Sequence, residues 1–219
     1  MLPLRDDIPS ERRPVITYLI VGINALVFFY ELLLSRDGLQ DFFGSYGVVP
    51  INIVYGENLY TLFTAMFIHA NFAHILGNML YLWIFGDNVE DTLGKFWFII
   101  MYLLSGLVGS FAHILVVPNS AIPTIGASGA VSGVLGAYLV LYPNARVLTL
   151  VPLGFFLRIL LLPAGLFLGF WIFLQLLYGF SSIGGHSGVA YFAHIGGFVV
   201  GLFFGLIFRR RRRIYYEIY

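Results

Sequence analysis

The chain alternates long apolar stretches with short polar punctuation. Apolar runs of about 20 residues, the length that crosses a hydrocarbon core about 30 Å thick, occur six times. They are Val15 to Leu34, Leu59 to Phe85, Phe96 to Val117, Ile125 to Tyr142, Ile159 to Phe180 and Val189 to Phe208. Glycine, proline and charged residues separate them. The pattern predicts an all-α polytopic membrane protein: a six-helix transmembrane bundle over residues 15–208, an N-terminal segment 1–14 and a basic tail 209–219. Two stretches depart from a plain up-and-down bundle. Leu59 to Phe85 is longer than one span needs, so Leu59 to Ala70 is expected in the interface or folded back against protein. Val147 to Leu157, held between Arg146 and Arg158, is too short to cross and is expected near the inner surface.

Composition agrees with this reading. The 219 residues are 59% hydrophobic and 11% charged, where soluble domains carry about a quarter charged residues. The first run is too long for a signal-peptide apolar region and has no small-residue cleavage site after it, so it reads as a retained helix. The absence of cysteine excludes disulfide and thiolate chemistry.

Charge orients the bundle. Lys and Arg accumulate in cytoplasmic loops; Arg5, Arg12 and Arg13 place the N-terminus inside. Lys95, Arg146, Arg158 and the run Arg209 to Arg213 then all fall on the cytoplasmic side, leaving Arg36 outside. The arginine run reads as a stop-transfer and orientation signal rather than a nucleic-acid patch. The expected location is the cell membrane, with both termini cytoplasmic.

The spans hold no charge at their centres, which disfavours a proton-coupled transporter and removes a pair of intramembrane catalytic carboxylates. A His-Glu-x-x-His zinc motif is absent, and neither a metal nor another cofactor is expected. The polar residues left within the spans are His69, His74, Asn78, His113, Ser128, Ser132, Gln175 and His194. Three segments among them converge. Gly126-Ala127-Ser128-Gly129 opens the fourth run, where a helix N-terminus offers free N–H groups and a positive dipole end to a nucleophile. Ala193-His194-Ile195-Gly196-Gly197 lies in the last run, and His194, Gly197, Gly201 and Gly205 share a face. That small-residue stripe suits close packing against Gly129, Gly133 and Gly136 of the fourth run. His74 and Asn78, four residues apart, face the same way and can donate to an oxyanion.

Depth is consistent across the three. At 1.5 Å per residue, His74 lies about 17 Å from Phe85, Ser128 about 21 Å from Tyr142 and His194 about 21 Å from Phe208. The resulting expectation is a catalytic dyad, Ser128 as nucleophile and His194 as base and then acid. The other polar groups have plainer readings. His69 and His113 read as packing residues, Gln175 and Asn24 as ordinary interhelical hydrogen-bonding groups. His186, in the Gly- and Ser-rich connection 181–188, reads as part of a linker.

These three motifs, in this order, resemble the rhomboid intramembrane proteases. The family pattern is a Gly-x-Ser-Gly helix start, an Ala-His-x-x-Gly last helix and an earlier His-x-x-x-Asn. Val89-Glu90-Asp91 through Gly94 also resembles the family's inner loop. The chain differs from members that carry a Trp-Arg pair in the first outer loop, which here holds Arg36 and no Trp. The resemblance implies a minimal bacterial-type bundle with a water-accessible cavity open to the outer side. It implies that His74, Asn78 and the Ser128 N–H receive the oxyanion, and that the partners are the lipid bilayer and single-span or polytopic membrane proteins cut near the outer face, with no nucleic acid. A rhomboid-like protein that binds membrane clients without cutting is the alternative.

Overall fold

A computed structural model of the chain describes residues 1–154, 156–183 and 188–216. In chain order the elements are β1 (Leu2–Asp6), α1 (Val15–Leu33), α2 (Arg36–Tyr46), α3 (Pro50–Val54), α4 (Thr61–Thr64), α5 (Phe72–Leu93), α6 (Lys95–Val116), α7 (Ser128–Leu141), β2 (Arg146–Leu153), β3 (Phe156–Pro163), α8 (Ala164–Ser181) and α9 (Tyr191–Tyr216). Among the described residues, α1, α6, α8 and the Tyr191–Arg209 part of α9 are long and apolar enough to cross a membrane. The chain is a multi-pass membrane protein. The remaining two apolar helices are different in kind: α7 has 14 residues, about 21 Å of helix, and α5 carries Asp87, Glu90 and Asp91 in its last turns.

The short helix α7 sits at the centre. Every residue from Gly129 to Tyr138 is buried, whereas α1, α6, α8 and α9 turn Leu26, Leu115, Leu166 and Phe203 outward. A helix apolar on all sides belongs inside a bundle. Its main neighbours are α9, α6 and α5, and the core around it is built from Leu82, Phe85, Phe98, Met101, Val134, Tyr138, Phe167 and Phe198.

Glycine makes the α7–α9 approach possible. A Cβ on Gly197 would overlap the carbonyl oxygen of Gly129, and one on Gly201 would overlap that of Gly133. On the other side a Cβ on Gly136 would overlap the Phe198 carbonyl oxygen. Backbone thus lies directly on backbone at these positions, the arrangement that small residues permit in membranes.

The expectation of an all-α chain is corrected by a three-stranded antiparallel sheet, ordered β1-β2-β3. Val147 to Leu157 does not cross, but it forms most of a hairpin, with Leu153 opposite Phe156 and Arg146 opposite Pro163. Gly154, at φ 61°, supplies the left-handed turn conformation that a residue with a Cβ resists. Residues 159–163, expected at the start of the fifth span, belong to β3, and α8 begins only after Pro163. A continuous Val- and Leu-rich run does not distinguish strand from helix by period; Pro152 and Pro163, which lack a helical donor, tip it to strand. The N-terminal segment also carries order, since Leu2 to Asp6 pairs with Val147 to Leu150.

The second expected span is broken as well. Leu59 to Ala70 contributes the single-turn α4 and a 3₁₀ turn at Ala65–Phe67. The continuous helix α5 starts at Phe72, capped by Asn71, and runs on to Leu93 rather than ending at Phe85. At the far end Glu90 of α5 caps α1 across the bundle. Pro14 offers α1 no side-chain cap, and the Glu90 carboxylate instead accepts from the backbone N–H groups of Ile16 (3.0 Å) and Thr17 (2.8 Å) and from Thr17 Oγ1 (2.9 Å). These are orphan donors of a helix N-terminus.

Candidate functional site

Ser128 is the first residue of α7, so its N–H has no carbonyl within the helix to bond. Two backbone links position the segment leading into it. Val48 and Thr124 exchange hydrogen bonds of 2.9 and 2.8 Å, and the Gly126 N–H donates to the Ala65 carbonyl oxygen at 2.9 Å. Gly126 has φ 124°, a conformation open to glycine and strained for other residues.

The close approach of α9 to α7 carries His194 to this helix start. Its Nε2 lies 2.8 Å from Ser128 Oγ, within the reach of a nucleophile and its base. Both residues are half-buried. Ser132, one turn on, is 1% exposed, and its hydroxyl donates to the Ser128 carbonyl oxygen at 2.6 Å, which occupies it structurally.

His74 and Asn78 of α5 border the same space. Asn71 Oδ1 accepts from the His74 backbone N–H at 2.9 Å, so the cap of α5 also sets His74 in its first turn. A Cβ on Gly126 would lie 2.6 Å from His74 Nε2 and 3.7 Å from Asn78 Nδ2. The glycine therefore leaves open the gap into which both donors face. Gly126, Gly129, Gly197 and Gly201 thus have two different surroundings: Gly126 lies against the donors, and the other three lie in the α7–α9 seam.

Two residues given no role at the site from sequence reach it: Gln175, read as an interhelical hydrogen-bonding group, and His69, read as a packing residue. Gln175 of α8 places Oε1 2.8 Å from His194 Nδ1. His69, 1% exposed, places Nε2 2.9 Å from Asn78 Nδ2, and its backbone N–H donates to Glu31 Oε1 at 3.2 Å. The sequence signal for His69 is its place in the interrupted stretch before α5, where a buried polar ring needs a partner. His113, on α6, carries a charge interaction to His194 but no hydrogen bond to it, and among the described residues its Nδ1 has no partner. His186 lies outside the described residues. Among the described residues, no group of three or more His, Asp or Glu side chains is arranged to hold a metal ion.

A buried helix start, a Ser–His pair across a glycine seam and two side-chain donors facing the same gap define a membrane-embedded polar site in a multi-pass protein. The family model of the Rhomboid domain matches residues 56–211, and the chain belongs to the rhomboid family. It is 28% identical over 191 residues to Rhomboid protease GluP of Bacillus subtilis (strain 168), an alignment covering 87% of this chain and 34% of that protein. It is 28% identical over 198 residues to Rhomboid protein 1, mitochondrial, of Saccharomyces cerevisiae (87% of this chain, 52% of that protein). It is 32% identical over 165 residues to RHOMBOID-like protein 1 of Arabidopsis thaliana (71% of this chain, 36% of that protein). The chain thus spans between about a third and about half of the length of these relatives.

Proposed function

We propose that the chain is an intramembrane serine endopeptidase that cuts transmembrane segments of other membrane proteins near the outer membrane face. The observation that carries this reading is the 2.8 Å approach of His194 Nε2 to Ser128 Oγ at the start of a buried helix. His194 takes the hydroxyl proton as Ser128 attacks the scissile carbonyl carbon. The oxyanion formed accepts from the Ser128 N–H, His74 Nε2 and Asn78 Nδ2. His194 then protonates the leaving amine, the C–N bond breaks and an acyl-serine ester remains. Water, deprotonated by His194, releases the new carboxyl terminus and restores Ser128.

The same reading has six crossings, α1, α5, α6, α7, α8 and α9, in a cell membrane with the N-terminal segment and the basic tail in the cytoplasm. Basic residues support it by their distribution. Substrates are membrane proteins whose helices unwind locally at small residues, since a helical carbonyl is covered by its own hydrogen bond. The relative from Bacillus subtilis is named a rhomboid protease, which supports proteolysis as the reaction.

The test uses the purified full chain in liposomes with a tagged single-span substrate, compared with Ser128→Ala and His194→Ala. Cleavage by the wild type alone is the expected result, together with fluorophosphonate labelling at Ser128. Cleavage by Ser128→Ala overturns the assignment. A folded wild type that neither cuts nor labels indicates a client-binding protein instead.

A further inference from the structure

A serine–histidine pair works only if the imidazole presents a bare nitrogen to the hydroxyl. Neutral histidine carries its proton on either Nδ1 or Nε2, and in the Nε2-protonated form it would donate to Ser128 rather than accept from it. Soluble enzymes with this pair fix the tautomer with a carboxylate on Nδ1. Among the described residues the hydrogen-bond partners of the His194 ring are Ser128 on Nε2 and Gln175 on Nδ1.

We infer that Gln175 is a positioning residue that fixes the Nδ1-protonated tautomer and the ring orientation of His194; the inference rests on the serine protease reading above. An amide oxygen accepts and does not donate, so a contact of 2.8 Å from Gln175 Oε1 to Nδ1 requires the proton on Nδ1. The amide itself is oriented by its second contact. Gln175 Nε2 donates to the Trp171 carbonyl oxygen, one turn earlier on α8, at 3.4 Å, which directs Oε1 to the histidine. Trp171 adds a steric limit: its ring centroid lies 6.0 Å from that of His194 with 33° between planes. Both constraints come from α8, while the nucleophile comes from α7 and the base from α9.

An amide is the form of orienting group that suits this depth. An ionised carboxylate inside a bundle carries a large desolvation cost, whereas an amide with both ends bonded sets the tautomer without a charge. The arrangement also makes the dyad sensitive to where α8 stands, because withdrawing α8 would free Nδ1 and allow the ring to turn.

The test compares the full-length wild type in liposomes with Gln175→Met, which keeps length and loses the acceptor, and Gln175→Glu, which keeps an acceptor oxygen whether ionised or not. Three quantities are read: kcat and KM on a single-span substrate, thermal unfolding, and the ring nitrogen shifts of His194 by ¹⁵N NMR. Gln175→Met is expected to lower kcat by roughly 10- to 100-fold with KM within about twofold and unfolding unchanged. Gln175→Glu is expected to recover most of that loss. The wild-type spectrum is expected to show a protonated Nδ1 and a bare Nε2, and that of Gln175→Met a mixture. Wild-type kcat in Gln175→Met, equal losses in both variants, or an unchanged tautomer in Gln175→Met overturns the inference. A wild type that does not cut overturns the protease reading, while the ring shifts still decide the role of Gln175.

Discussion

The seam between α7 and α9 holds the two residues of the proposed dyad together, so a single methyl group there should damage both stability and the proposed chemistry. In Gly201→Ala the new Cβ would lie 2.6 Å from the Gly133 carbonyl carbon and 2.8 Å from its Cα, in addition to overlapping the carbonyl oxygen. Ordinary contact begins at 3.4 Å, so clearing the carbonyl carbon alone requires the helices to part by about 1 Å at this level, and the overlapped oxygen requires more. The obstacle is backbone and cannot rotate away. Overpacking of this kind costs about 1–3 kcal/mol, and a rigid clash belongs at the upper end. Gly201 lies two turns below His194 on α9, so the parting also lengthens the 2.8 Å contact between His194 and Ser128. Thermal unfolding in detergent and the rate of fluorophosphonate labelling at Ser128 measure the two consequences. Gly22→Ala is the control, because a Cβ there meets nothing within 4 Å and alanine favours helix by about 1 kcal/mol. Equal unfolding temperatures and labelling rates for Gly201→Ala and Gly22→Ala would refute the backbone-contact argument.

Glu90→Ala removes the cap on α1 and leaves the Ile16 and Thr17 N–H groups unpaired; a loss of about 2–3 kcal/mol is expected, read by thermal unfolding, with Glu90→Gln losing less. Asn78→Ala takes a donor from the proposed oxyanion site and the partner of His69 Nε2. Cleavage should fall by roughly 10²–10³-fold and stability by about 1–3 kcal/mol, checked by kinetics and unfolding on the same sample. Burial pushes Asp6, in β1, up to about 6 despite the hydrogen bond it accepts from Tyr138. The folded chain then binds this proton more tightly than the unfolded chain. The contribution is full below about pH 4 and is lost as pH rises through about 6. With partial solvent access it amounts to about 1 kcal/mol; Asp6→Asn should flatten the dependence of unfolding temperature on pH between 4 and 7.

Much of the bundle is legible because membrane burial imposes simple demands. Apolar length marks α1, α6, α8 and α9, and recurrence of glycine every three or four residues marks the faces of α7 and α9 that touch. The relation of His74 to Asn78 is legible for the same reason, since both lie on one face of one helix. What fails is anything set by tertiary direction. Residues 146–163 are apolar without an alternating pattern; Pro152 and Pro163 speak against a helix, but the pairing partner and register stay hidden until β1 and the turn at Gly154 are seen. Gln175 meets His194 across the connection between α8 and α9, and a single polar residue on an apolar helix does not say which face turns inward. His69 is hidden by the break before α5, which removes the helical register that would relate it to Asn78.

The distribution of polar contacts gives the bundle two different ends. Away from Ser128, Tyr138 donates to Asp6, and Tyr142 donates to the Asn88 carbonyl oxygen at 3.1 Å and meets Thr92 Oγ1 at 2.8 Å. Glu90 holds α1 there, and Asp91 accepts from the Glu11 and Arg12 N–H groups at 2.6 and 3.1 Å. The N-terminal segment, α1, α5 and α7 are thus tied together at that end by carboxylates and phenols. The end that carries Ser128 is held mostly by other means, by backbone pairs in its entry loop and by neutral rings and amides from α5, α8 and α9, with the buried Glu31 carboxyl reaching only the outer side of this network, at the His69 backbone N–H. Charge placed at the site end would face the bilayer interior and would compete for the donors that a reacting carbonyl needs. Concentrating the ionic groups at one end, and keeping neutral groups in direct contact with the proposed site at the other, satisfies both constraints. It also predicts that the charged contacts govern unfolding while the neutral ones govern turnover, so Glu90→Gln should shift the unfolding temperature with kcat unchanged, and Gln175→Met should do the reverse.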